Sequence, residues 1–213
     1  MSLFFSNVHK VINKYALFHA IAVFMLIGIS FSIPASSASA AEAFIPCFGM
    51  GKINVRLYTD YFCHPCRDME PKIEPILVEL VKKNNINVTF IDTPFTRFSI
   101  LYARHFLYIM NEKKDFDLAL LARSVLIDAA VEKISEETKL EEYLRNKGLK
   151  FKSFDVKPTF DALNGYLKED KIQSTPTCII DHNGRIERYS GGSDIIKALE
   201  NMKQGTTIKT VIK

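Results

Sequence analysis

The chain has 213 residues, with 28 basic against 24 acidic side chains, 47% hydrophobic residues and four cysteines. A formal charge of +4 is too small to argue for binding nucleic acid or an anionic membrane surface. Once an N-terminal leader is set aside, the length fits one domain with a substantial core, so extra disulfides are not required for folding.

That leader is the first element. After Lys10 and Lys14 comes an apolar stretch from Tyr15 to Ile33, then Pro34 and the small-residue string Ala35-Ser36-Ser37-Ala38-Ser39-Ala40-Ala41. Basic, apolar and small-residue segments in this order predict an export signal over residues 1–40, with Ala38-Ser39-Ala40 as the cleavage site. The apolar stretch is nearly long enough to span a bilayer, so an uncleaved membrane anchor is the alternative. Either way the remainder is exported, to a periplasmic or other extracytoplasmic space. Lipidation at Cys47 is a third reading, against which Pro46 is wrong for a small-residue cleavage site.

Alternating Ile53, Val55 and Leu57 predict a strand. It runs into Tyr58-Thr59-Asp60-Tyr61-Phe62-Cys63-His64-Pro65-Cys66, which places two thiols at a strand-to-helix turn. If the helix begins near Cys63, the two cysteines share one face of its first turn, with Cα atoms near the separation a disulfide prefers. Cys63 would lie where backbone N–H groups lack intrahelical partners and the helix dipole is positive, which favours its thiolate and makes it the nucleophile. Cys66, one turn in and shielded by Met69, suits a resolving thiol. His64 is placed to donate to, or when protonated pair with, the Cys63 sulfur, and Pro65 completes the pair between the cysteines. A zinc site would need a second ligand pair, yet Cys47, Cys178, His105 and His182 show no matching spacing, so no metal is expected. A structural disulfide across so short a loop would remove little chain entropy.

The next helix carries an apolar stripe of Met69, Ile73, Ile76, Leu77, Leu80 and Val81, with Pro71 and Pro75 predicting a kink. Ile86 to Asp92 reads as a second strand. Phe98 to Met110, Phe116 to Ala130, Ser135 to Asn146 and Thr159 to Lys168 read as helices, Gly148 ending the third. Strand character returns at Thr177 to Asp181, turns at Asn183-Gly184 and continues from Arg185 to Tyr189, before a last helix from Ser193. This is an α/β or α+β layer fold with a helical insertion. Cys178 reads as a buried free thiol and Cys47 as free or paired outside the chain, with a Cys47–Cys178 bridge allowed by counting. His105 reads as a packed residue and His182 as a surface one. The Asn87-Val88-Thr89 triplet falls in a strand and is taken as chance.

The cysteine run, Pro71 after it, Ser174-Thr175-Pro176-Thr177 before a strand and Gly191-Gly192 before the last helix together resemble the thioredoxin superfamily. The helical block between the second strand and Pro176 further resembles the exported DsbA-like thiol oxidases. The resemblance implies an α/β thioredoxin fold with an inserted all-helical domain, built from residues 41–96 and 171–213 around an insertion at 97–170. It implies a cis Thr175–Pro176 bond facing the cysteines, with Thr175 backbone presented to an extended substrate peptide. It also implies a protein thiol:disulfide oxidoreductase that needs no cofactor beyond the Cys63–Cys66 disulfide. As an oxidase it would act, as a monomer, on unfolded or reduced exported proteins and be reoxidised by a membrane-bound partner. The alternatives are a reductase or isomerase of exported disulfides, or a non-catalytic peptide-binding chaperone on the same fold. Tyr61 and Phe62 are candidates for holding unfolded chains. The sequence departs from the family in having Leu57 where many members carry a buried acid, so that proton removal from Cys66 falls to water, Asp60 or Glu70. It also has His-Pro where thioredoxin has Gly-Pro and the best-known oxidase has Pro-His.

Overall fold

A computed structural model describes residues 43–205, and the expected export signal or anchor lies outside them. In chain order the elements are β1 (Cys47–Phe48), β2 (Ile53–Thr59), α1 (His64–Lys82), β3 (Ile86–Asp92), α2 (Arg97–Glu112), α3 (Phe116–Val131), α4 (Glu137–Asn146), α5 (Lys157–Glu169), β4 (Thr177–His182), β5 (Arg185–Ser190) and α6 (Gly192–Lys203). The strands form one sheet in the order β1-β3-β2-β4-β5. β2 and β3 are parallel and every other pairing is antiparallel. No helix among the described residues is long and apolar enough to cross a membrane.

Hydrophobic periodicity sets most of these elements. β2 buries Val55, Leu57 and Tyr58, as expected of a central strand covered on both faces. α1 buries Met69, Ile73, Ile76, Leu77 and Leu80 at the i, i+3, i+4 spacing of a single helix face. Pro71 and Pro75 each remove an intrahelical hydrogen bond, but the helix stays unbroken from His64 to Lys82 because that buried stripe holds both halves on the sheet. At the β4–β5 hairpin, Asn183 and Gly184 have φ of 55° and 83°, the pair of positive values that a tight two-residue turn requires. β1 was not expected from sequence. Two residues carry no readable period, and the strand exists because Cys47 and Phe48 pair with Thr89 and Val88.

The helices α2 to α4 are continuous with the sheet through shared packing, and Leu163 of α5 packs with Tyr58, Ile91 and Ile179 in a separate cluster. Leu57, Phe90, Tyr102, Phe106, Ala122, Leu126, Leu140 and Leu144 all belong to one apolar cluster. A buried cation ties the insertion to the sheet. Arg123 of α3 is 2% exposed and pairs with Glu70 of α1 and Asp92 of β3. Its guanidinium also donates to Thr59 Oγ1 at 2.6 Å and stacks 4.7 Å from the Phe90 ring centre. Burial works against the charge, but Glu70, Tyr61 and Asp92 outweigh it, so the arginine stays protonated. Asp92 is pushed above the usual carboxylate range by burial, with Arg123 opposing.

A second buried pair fastens α5 to the other side of the sheet. Arg56 of β2 grips Asp170 with two hydrogen bonds of 2.6 and 2.8 Å, and Tyr58 donates to the same carboxylate. Burial raises the Asp170 pKa, but the hydrogen bonds from Arg56 and Tyr58 prevail and hold it below its ordinary value.

The cysteines outside the motif lie apart. Cys47 on β1 and Cys178 on β4 are separated by β3 and β2, three strand spacings or about 14 Å. That is roughly twice the reach of a disulfide, so the bridge allowed by counting does not form. Cys178 is buried opposite Leu57, and burial pushes its thiol up to about 12. Thr89 Oγ1 donates to the Cys47 sulfur at 3.1 Å, and the Asn87 side chain lies 2.8 Å from it.

Removing the Arg123 charge as Arg123→Ala strands two acids beside one buried cavity, and should cost about 3–5 kcal/mol of unfolding free energy. A urea titration showing less than about 1 kcal/mol would refute this tie. Asp170 has a depressed folded pKa, so its contribution is complete above about pH 4 and is lost as pH falls through the folded value. The urea midpoint should therefore drop on the acid side of about pH 4, and Asp170→Asn should flatten that drop.

Candidate active site

The site is built at the C-terminal end of β2. Beyond Thr59 the chain must turn into α1, and Asp60 fixes the turn. Its carboxylate accepts the Phe62 N–H at 2.7 Å and the Phe95 N–H at 3.1 Å, while its carbonyl accepts the Cys63 N–H at 3.1 Å. The cysteine turn is thus fastened both to itself and to the segment leading into α2. Cys63 is the N-cap residue of α1, in extended conformation with φ −77° and ψ 112°. Its sulfur accepts the Cys66 N–H at 3.4 Å, filling a role usually taken by Ser, Thr or Asp. Pro65 falls in the first turn, where its missing N–H leaves no intrahelical bond unmade.

The two sulfurs face each other, with the Cys66 thiol donating to Cys63 at 2.6 Å. Cys63 is half-buried and Cys66 buried. Burial, and next the hydrogen bond to Cys63, push the Cys66 thiol far above its ordinary value. Across the turn, the Thr175–Pro176 peptide bond is cis. The Thr175 carbonyl lies 3.4 Å from the Cys63 sulfur, and the Pro176 carbonyl accepts the Gly191 N–H at 2.9 Å. Gly192 opens α6 against α1, where a Cβ would come within 3.2 Å of Met69 Cβ. The small residue lets the last helix close behind the cysteine pair.

Of the residues expected here, Cys63, Cys66, Pro65, Thr175 and Pro176 converge, and His64 does not. Its Nδ1 lies 3.0 Å from Asp68, with both side chains more than half exposed. One turn apart on a helix, imidazole and carboxylate are neighbours, and the ring turns to solvent rather than to the Cys63 sulfur. Tyr61 also departs from expectation. It is 2% exposed and donates to Asp92 at 3.0 Å, so it belongs to the core. Phe62 is only partly buried and packs edge-on against Tyr102 at 4.9 Å. With His64, Arg67, Ile127, Ala130 and Val131 it lines a groove of about 590 Å³, where Val131 is 59% exposed.

The two acids considered for moving the Cys66 proton are both engaged. Asp60 caps two backbone N–H groups, and both oxygens of Glu70 face Arg123. Arg123 itself went unread in the sequence. A lone arginine amid Leu118, Leu120, Leu121, Val125 and Leu126 was the available signal, since an unpaired charge does not stay in such a stripe.

Comparison with known proteins follows the geometry. A model of the thioredoxin family matches residues 51–198, and no match is found among curated proteins. Among solved structures, the chain is similar to a periplasmic thioredoxin-like protein from Salmonella enterica serovar Typhimurium, with 22% identity and a TM-score of 0.56 over 75% of this chain and 90% of that one. The catalytic domain of Proteus mirabilis ScsC gives 19% identity and a TM-score of 0.59 over 80% and 93%. Wolbachia pipientis α-DsbA1 gives 13% identity and a TM-score of 0.59 over 76% and 92%. At these identities the neighbours establish the fold, a thioredoxin sheet carrying a helical insertion. The chain belongs to the thioredoxin family.

Proposed function

We propose that the chain is an exported protein thiol oxidase that donates the Cys63–Cys66 disulfide to reduced substrates. The observation that carries this reading is the unequal setting of the two thiols. Cys63 is reachable and flanked by the Thr175 carbonyl, whereas Cys66 is covered and its thiol is held protonated by burial.

A substrate thiolate attacks Cys63 of the oxidised pair. The Cys63–Cys66 bond breaks, and Cys66 leaves with the electron pair and takes up a proton. The substrate's second thiolate then attacks the substrate sulfur of the mixed disulfide and expels Cys63 as a thiolate. Two electrons have passed to the enzyme, and the substrate holds a new disulfide. The alternative fate of the mixed disulfide is attack by Cys66, which a reductase requires and which returns an oxidase to its starting state. That attack needs the Cys66 thiolate. Burial disfavours it, Leu57 provides no base, and Asp60 and Glu70 are already engaged. The balance therefore favours release of an oxidised substrate.

The partly buried Phe62 and the groove beside His64 offer apolar contact to an unfolded chain, and the Thr175 backbone offers an edge for an extended one. The reduced pair must be recharged, which we assign to a membrane-bound oxidant. Export fits the leader in the sequence, and the Salmonella neighbour is described as periplasmic.

Equilibration in glutathione buffers with trapping of free thiols measures the direction. A potential of about −120 to −180 mV is expected, whereas about −270 mV, thioredoxin-like, would make the protein a reductase. Alkylation at neutral pH should modify Cys63 in a Cys66→Ala variant at least about 100-fold faster than Cys66 in a Cys63→Ala variant. Equal rates would remove the asymmetry on which the reading stands.

A further inference from the structure

The helical block holds a polar arrangement that thiol chemistry does not use. The side chain of His105, on α2, is fully buried. Its Nδ1 lies 2.9 Å from the Leu101 carbonyl. A carbonyl oxygen only accepts, so Nδ1 carries the hydrogen and the neutral ring has a lone pair at Nε2. That Nε2 has no hydrogen-bond partner. It faces Oε1 of Glu141, on α4, at 3.7 Å, a separation too long for a hydrogen bond and one between two acceptors. Glu137, one turn earlier on α4, completes the group. One ligand atom from each of the three side chains lies within 4.8 Å of the others.

Lone pairs that converge without a donor between them form a site that a cation can complete. Two ligands held about 2.0–2.2 Å from a tetrahedral zinc ion are about 3.3–3.6 Å apart, close to the His105–Glu141 spacing. An imidazole with two carboxylates suits zinc and its neighbours, whereas calcium and magnesium favour all-oxygen shells. The outer contacts are those that orient metal ligands. The Leu101 carbonyl fixes the ring, Arg145 holds Oε2 of Glu141 at 2.8 Å, and Arg104 holds Oε1 of Glu137 at 2.7 Å. Each carboxylate keeps its second oxygen for the ion. The Glu137 side chain is 51% exposed and that of Glu141 30%, which leaves a path from solvent and room for water as a fourth ligand.

We propose that His105, Glu137 and Glu141 bind one zinc-class divalent cation that clamps α2 to α4. The site uses none of the residues assigned to the redox pair and does not depend on the oxidase reading. The test is zinc competition against a chromophoric chelator on the full chain, with Cys63 and Cys66 oxidised to keep their thiols out of reach. Wild type should take up one equivalent, and the Cys63→Ser/Cys66→Ser variant should do the same. Glu141→Gln and Glu137→Gln, which change solvent-accessible side chains, should weaken uptake by at least the roughly 10–100-fold that loss of an outer partner alone produces. Cobalt in place of zinc should give a spectrum without thiolate-to-metal charge transfer. No uptake, uptake indifferent to Glu141→Gln, or uptake abolished with the cysteine pair would each overturn the proposal.

Discussion

The buried guanidinium of Arg123 is the constraint around which the redox end of the molecule is arranged. It touches the last residue of β2, the last residue of β3, an acid on α1 and the ring of Tyr61. Those elements carry or brace the turn that holds Cys63. A buried charge tolerates little movement of its partners, since each lost contact leaves an unsolvated ion. Because the arginine comes from the inserted helices, the insertion fixes the geometry behind the cysteine pair. The Arg56–Asp170 pair fastens α5 to the opposite side of β2, so the strand that delivers the active site is held from both faces.

Against that rigid frame, the chemistry arises from a difference in exposure between two sulfurs one helical turn apart. The N-cap position puts Cys63 at the surface end of α1, facing Thr175, while Cys66 points under the helix beside Met69. No charged residue needs to approach Cys66 to make it inert. Removal from water suffices. Position 57 carries an aliphatic side chain, and the nearby carboxylates of Asp60 and Glu70 have structural duties. The buried Cys66 thiol therefore has no free carboxylate beside it to take its proton.

The sequence was legible where local rules dominate. Strand β3 spans Ile86 to Asp92 as its alternation predicted, and α3 begins at Phe116 behind its Asp115 cap. The Asn183-Gly184 turn forms where its residue types require, and His105 is buried and His182 exposed as read. Legibility failed where a partner distant in sequence decides. β1 is a strand only because β3 lies beside it. Tyr61 reads as a candidate for holding unfolded chains until Asp92 and Arg123 supply the partners that draw its hydroxyl inward. His64 was assigned to Cys63 by proximity in the chain, but helix geometry offers it Asp68 instead.

The sequence alone determined that two thiols share a strand-to-helix turn and the order of every element except β1, because a disulfide-competent spacing and a hydrophobic period are properties of neighbouring residues. Only the tertiary structure decided that Cys47 and Cys178 cannot meet and that Arg123, Asp92 and Glu70 form one buried unit. It also decided that the lone pairs of His105 and Glu141 face each other across two helices. Those outcomes depend on which surfaces the folded chain removes from water, and that is settled between residues tens of positions apart.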